Sequence, residues 1–186
     1  GDHQNGNTGV AQVHKPLPNC SRCAHINAPG GLRDDQYFGF QRYLSPNNKF
    51  LQISTGQALP EANLLRLGDQ GPESVALADK VKGRKVVIFG LPGAYTGVCS
   101  TAHVPSFIRS KDALAEKGVE EIICVSVNDP FVMAAWAEST GAKEAGLTFL
   151  GDADGSFTKA LGLEFNAPPA GLIGRSKRFA MVVEDG

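Results

Sequence analysis

A chain of 186 residues, with 18 basic against 19 acidic side chains and a formal charge of −1, suits one domain with its own core and leaves no electrostatic footprint for nucleic acid or an anionic membrane. No apolar stretch nears the roughly 20 residues that span a bilayer, and the N-terminus lacks the apolar core of a secretory signal. A soluble, cytoplasmic protein with small partners is expected, organelle targeting in a eukaryote being left open. The cysteines, at 20, 23, 99 and 124, are too few and too uneven for a disulfide-dense secreted scaffold and point to reactive thiols in a reducing compartment.

Residues 1–50 carry Gly, Asn, Pro and Asp at short intervals with no sustained period, the pattern of an unstructured extension. Within them Cys20 and Cys23 have C-x-x-C spacing, but a zinc site needs about four ligands and only His25 lies nearby, so no metal is expected. The globular part begins at Gly56. Ala58–Leu67 and Glu73–Leu77 read as short edge strands joined by Gly/Pro turns, and Lys80, Lys82, Arg84 and Lys85 as a solvated rim before the next strand. Residues 84–90 read as a buried strand. Cys99–Lys117 reads as a helix that Pro105 kinks and Gly118 ends. Glu121–Val127 is a second buried strand; Asp129 then caps a helix with Pro130 at its first position and Phe131, Val132, Ala135 and Trp136 on one face. Trp136, Phe131 and Met133 are read as packing residues. A strand at 147–150, a helix at 156–161 and a final strand at 178–184 complete an alternation that implies an α/β sheet with crossover connections.

The segment Pro92-Gly93-Ala94-Tyr95-Thr96-Gly97-Val98-Cys99 puts a cysteine just past an apolar strand, where a helix begins. Free backbone N–H groups and the positive end of the helix dipole favour a thiolate over a thiol there, and the thiolate is the nucleophile. Thr96 can turn its hydroxyl toward the same sulfur. His103 falls on the same helix face, where it could be mistaken for the base of a Cys-His hydrolase. In the strand Ile122-Ile123-Cys124-Val125-Ser126, alternation puts Cys124 on the face of Ile122 and Ser126.

The pattern Pro92-x-x-x-Thr96-x-x-Cys99 resembles the active-site signature of the peroxiredoxins, thiol peroxidases of the thioredoxin fold. Val125–Met133 and Gly174–Ala180 resemble the type II or peroxiredoxin-5 branch, and the likeness runs from about residue 56 to residue 186. The resemblance implies an α/β, thioredoxin-like fold with a central mixed sheet flanked by helices. The family continues beyond this point with one more strand and a helix, so 56–186 is expected to be a redoxin domain shortened at its C-terminus, with apolar surface that favours association.

The resemblance implies antioxidant reduction of hydrogen peroxide and organic hydroperoxides without a cofactor. Cys99 is then the peroxidatic residue passing through a sulfenic acid, Pro92 shapes the loop, and Thr96 and Arg178 stabilise charge on the leaving oxygen, with Arg175 as rival to Arg178. His103 has at most a supporting role. Cys124 stands 25 residues past Cys99, the spacing of the peroxidatic and resolving pair in plant-like members. The alternative for Cys124 is a small core residue, with the sulfenate resolved from outside by glutaredoxin with glutathione or by thioredoxin. A homodimer is compatible with the family. Two other functions compete: a thiol–disulfide oxidoreductase of thioredoxin type, disfavoured because Thr96 and Ala102 stand where its second cysteine would, and an inactive redoxin interaction module.

Overall fold

The computed structural model describes residues 58–186. The expected extension at 1–50 and the Cys20/Cys23 pair lie outside the described residues. Strands β1 (Asn63–Gly68), β2 (Gly71–Ala76), β3 (Lys85–Gly90), β4 (Glu121–Ser126), β5 (Thr148–Gly151) and β8 (Phe179–Glu184) form one mixed sheet in the order β2-β1-β5-β4-β3-β8. The centre, β5-β4-β3, is parallel; β1 and β8 join it antiparallel, and β6 (Glu164–Ala167) with β7 (Leu172–Ser176) forms a separate hairpin.

Apolar runs in β3 and β4 are buried on both faces, the signature of central parallel strands covered by helices. Val87, Phe89, Ile122 and Cys124 pack on one side with Cys99, Phe107 and Trp136; Val86, Ile88, Ile123 and Val125 pack on the other with Leu77, Val81 and Phe157. The first layer is closed by α2 (Val104–Ala115) and α3 (Pro130–Ser139), the second by α1 (Leu77–Val81) and α4 (Ser156–Ala160). This is the mixed sheet flanked by helices of the thioredoxin-like class.

Several local expectations are corrected. β1 is interior, between β2 and β5, so of the two expected edge strands β2 alone lies at an edge, because Leu65 pairs with both Ser74 and Gly151. Leu77 begins a helix instead of ending a strand, since Leu77 and Val81, one turn apart, both enter the core. The basic rim is not merely solvated: Lys80 Nζ lies 2.9 Å and Arg84 Nη1 2.8 Å from the two oxygens of Glu121, and Lys85 pairs with Glu184. Asp129 caps α3 as expected, accepting from Val132 N–H at 2.9 Å. The buried face of α3, however, is Pro130, Met133, Trp136 and Ala137, while Phe131 is 57% exposed and Ala135 is exposed, because the cap sets the helix phase.

Gly90 ends β3 opposite Phe179, and a Cβ there would meet the Phe179 ring at 2.0 Å. The ring lies across the strand only because the glycine is bare, and its position seats the preceding Arg178. Gly90→Ala is expected to cost about 1–3 kcal/mol by overpacking. Urea unfolding of the two proteins checks it; equal midpoints and slopes would show that the ring moves aside freely.

Candidate active site

The site lies past the carboxyl ends of β3 and β4, where open α/β sheets place ligands. From β3 the chain runs through Leu91 and the loop to a helical turn starting at Gly97; Tyr95 adopts a left-handed backbone, φ 57°, at the tip. Cys99–His103 form a π-helical turn in which Val104 N–H bonds to Cys99 O, and α2 continues from it. A wide turn just ahead of Pro105 answers the expected kink, since proline removes one donor and crowds the preceding carbonyl. Ser100 N–H donates to Thr96 O at 3.1 Å, which leaves the amides of Val98 and Cys99 ahead of that first helical bond.

Cys99 is 1% exposed. Arg178 Nη2 stands 3.3 Å from its Sγ, bridging 79 residues of sequence. Arg175, the rival, is elsewhere: its Nη1 donates to Val127 O at 2.8 Å, beside Gly93 of the loop. Thr96 donates its hydroxyl hydrogen to Gly93 O at 2.9 Å. In this arrangement the hydroxyl has lone pairs left to offer a further partner. Pro92 is half-buried at the start of the loop.

Cys124 is fully buried on β4, in register with Phe89 of β3 and Phe149 of β5, and shares the core layer of Cys99. Both thiols are free. Burial pushes the Cys124 thiol well above its ordinary range, and the neighbouring Cys99 sulfur adds to the rise. Where it stands, Cys124 is a protonated thiol at neutral pH.

His103 is wedged between Phe89 and Phe107, ring centres 5.3 and 5.5 Å away, with both nitrogens buried and without a hydrogen-bond partner. Burial first, and the Arg178 charge second, push its pKa down to about 3. A ring so weakly basic, with no bond to Cys99, is not poised as a base toward the thiol, against the hydrolase reading.

Two hydrogen-bonded contacts that the sequence does not announce brace the site. Asn128 Oδ1 accepts from Ala94 N–H at 3.0 Å and from Ser126 Oγ at 2.6 Å, tying the loop to the end of β4. Its position directly after a buried parallel strand was the available signal. Trp136 Nε1 donates to Ser100 Oγ at 2.9 Å, tying α3 to the π-helical turn; nothing in the local pattern announces that bond.

A buried sulfur beside a guanidinium, next to free amides, suits a nucleophile that attacks a small neutral substrate and holds the negative charge displaced from it. Comparison with known proteins agrees. The Redoxin family profile matches residues 54–186. The chain is 47% identical over 152 residues to Peroxiredoxin-2F, mitochondrial, of Arabidopsis thaliana, covering 80% of this chain and 73% of that protein. Among solved structures it resembles reduced Prx3 in complex with H2O2 from Vibrio vulnificus (47% identity, TM-score 0.66, 72% of this chain and 83% of that one). It also resembles peroxiredoxin 5 from Alvinella pompejana (32% identity, TM-score 0.64, 72% of this chain and 84% of that one). With the mixed sheet, the Cys99 turn and these likenesses in agreement, the chain belongs to the redoxin family, as a peroxiredoxin of the thioredoxin fold.

Proposed function

We propose that this chain reduces hydrogen peroxide and small organic hydroperoxides through Cys99 and is then recycled by an external thiol system, glutaredoxin with glutathione or thioredoxin. The observation that carries the reading is the 3.3 Å approach of Arg178 Nη2 to Cys99 Sγ inside a site that excludes bulk water.

The thiolate of Cys99 attacks the terminal oxygen of the hydroperoxide in line with the O–O bond. The S–O bond forms as the O–O bond breaks; the displaced oxygen leaves as alkoxide or hydroxide and takes up a proton, while Cys99 becomes a sulfenic acid. Arg178, a planar fork of donors, can contact the sulfur and the leaving oxygen together. The Thr96 hydroxyl, its hydrogen held by Gly93 O, accepts a hydrogen bond from the peroxide O–H and orients the substrate. The amide of Cys99 adds a donor at the charge-bearing end. Pro92 and Asn128 hold the loop that carries these groups.

The sulfenic acid then condenses with a thiol, giving a disulfide and water. Cys124 is the internal candidate, and an external thiol is the other. In either case Cys99 leaves its buried seat. No helix among the described residues is long and apolar enough to cross a membrane, and the mitochondrial label of the Arabidopsis relative makes an organelle the first compartment to examine.

The test is stopped-flow consumption of hydrogen peroxide by reduced protein, with Cys99→Ser as the blank. Equal rates for the two proteins would refute the peroxidase reading. Intact mass after one equivalent of peroxide separates the cycles: loss of two hydrogens is the Cys99–Cys124 disulfide, and a persistent added oxygen is the one-cysteine cycle. Coupled NADPH oxidation with each reductant system in turn assigns the recycling partner.

A further inference from the structure

We propose that Ser100 and Trp136 are positioning residues that hold the Cys99 turn closed, and that release of their hydrogen bond is what admits the resolving thiol; the inference rests on the peroxidase reading above. Cys124 cannot travel. It sits in the middle of β4, hydrogen-bonded between β3 and β5, and is 0% exposed. Cys99 is 1% exposed, so an external thiol is shut out as well. Whichever thiol resolves the sulfenic acid, the moving part is the π-helical turn Cys99–His103.

Among the described residues, two side-chain hydrogen bonds tie this turn to elements outside its own continuous helix: Arg178 to Cys99 Sγ, and Trp136 Nε1 to Ser100 Oγ. They respond differently to oxidation. The first draws on the charge of the thiolate and weakens once Cys99 is a neutral sulfenic acid. The second is between neutral groups and is untouched by the redox state of the sulfur. Trp136 is itself immobile: it is 0% exposed, packs edge-on to Phe149 with ring centres 5.2 Å apart, and stands on a helix started by Asp129 and Pro130. After oxidation the Ser100 bond is therefore the remaining side-chain tie beyond the helix that the turn begins, and it lies one residue from the sulfur that must move.

The step that follows release is balanced: the sulfur of the attacking thiol forms a bond to Cys99 Sγ, the S–O bond breaks, and the hydroxyl leaves with the thiol proton as water. The two electrons given to the peroxide are the two that the thiol pair has lost, so the disulfide is its two-electron oxidised form.

The experiment uses the full chain and reads two steps separately: peroxide reduction by competition kinetics, and disulfide formation by acid quench and mass, in the presence and absence of glutathione. Ser100→Ala is expected to raise the ratio of the second rate to the first by about 2- to 10-fold, the factor one net hydrogen bond contributes. It also lowers the fraction of Cys99 driven to the sulfinic state by excess peroxide. Ser100→Thr, which keeps the hydroxyl, should restore the wild-type ratio. Because Ser100→Ala leaves a buried indole N–H unpaired, Ser100→Ala with Trp136→Phe removes both partners and should raise the ratio too. As the chain contains a single tryptophan, Trp136 fluorescence should change with the second step and not the first. A ratio unchanged in both variants would overturn the latch while leaving the peroxidase reading intact; absence of the first step in the wild type would overturn the reading itself.

Discussion

Arg178→Ala is expected to slow peroxide reduction about 10²- to 10³-fold, the loss typical of removing one preorganised charge-stabilising donor from an enclosed site. On the proposed mechanism the guanidinium that contacts the sulfur also meets the displaced oxygen, and the shielding of Cys99 from water strengthens both interactions. Its Nε is buried without a partner, so the charge has no competing carboxylate to attend to among the described residues. Arg178→Lys should recover only part of the loss, since an ammonium is a single point of charge where the site offers room for a fork. Arg175→Ala, by contrast, breaks a bond to the Val127 carbonyl and should act mildly through the loop. Competition against a peroxidase of known rate measures all three, with circular dichroism to confirm folding. An Arg178→Ala rate within threefold of wild type would remove Arg178 from the mechanism.

Acid should destabilise the domain through His103. In the folded protein the ring stays neutral down to about pH 3, because it is buried and faces the Arg178 charge. In the unfolded chain it titrates near 6.5. Above about 6.5 both states carry a neutral ring and nothing is lost. Below it the unfolded state takes up a proton that the folded state refuses, so stability falls with pH, by about 1.4 kcal/mol per unit, until the folded ring also protonates near 3. His103→Leu, of similar size and unable to titrate, should flatten this part of the profile. Urea midpoints between pH 7 and 4 provide the measurement; parallel profiles for the two proteins would show that His103 is not the group responsible.

The central layer was legible because its physics is local. The short, β-branched apolar runs within 85–90 and 121–126 read as strands covered on both sides, and Asp129-Pro130 carries a helix start in two adjacent residues. Short elements were not. Leu77–Val81 is five residues long and shows too little of a period to separate from the strand before it. The β6–β7 hairpin alternates weakly around Pro168 and Pro169, with side chains that, Ser176 apart, are half-buried or exposed. The face of α3 was misjudged because two adjacent apolar residues, Phe131 and Val132, suggested a phase that the cap and the core at Met133 and Trp136 override.

By itself the sequence determined that a cysteine follows a buried strand at the mouth of a helix, with Pro92 and Thr96 at their offsets, and that its neighbours resemble one family of thiol peroxidases. Those are properties of contiguous residues. Only the tertiary structure decided which arginine reaches the sulfur, since the antiparallel register of Gly90 with Phe179 brings Arg178 past the end of β3 and leaves Arg175 on Val127. It also decided that the Thr96 hydroxyl donates to Gly93 O, and that Cys124 and Cys99 are both closed in by the core. Strand register and burial arise from contacts between residues distant in the chain, and no window of sequence contains them.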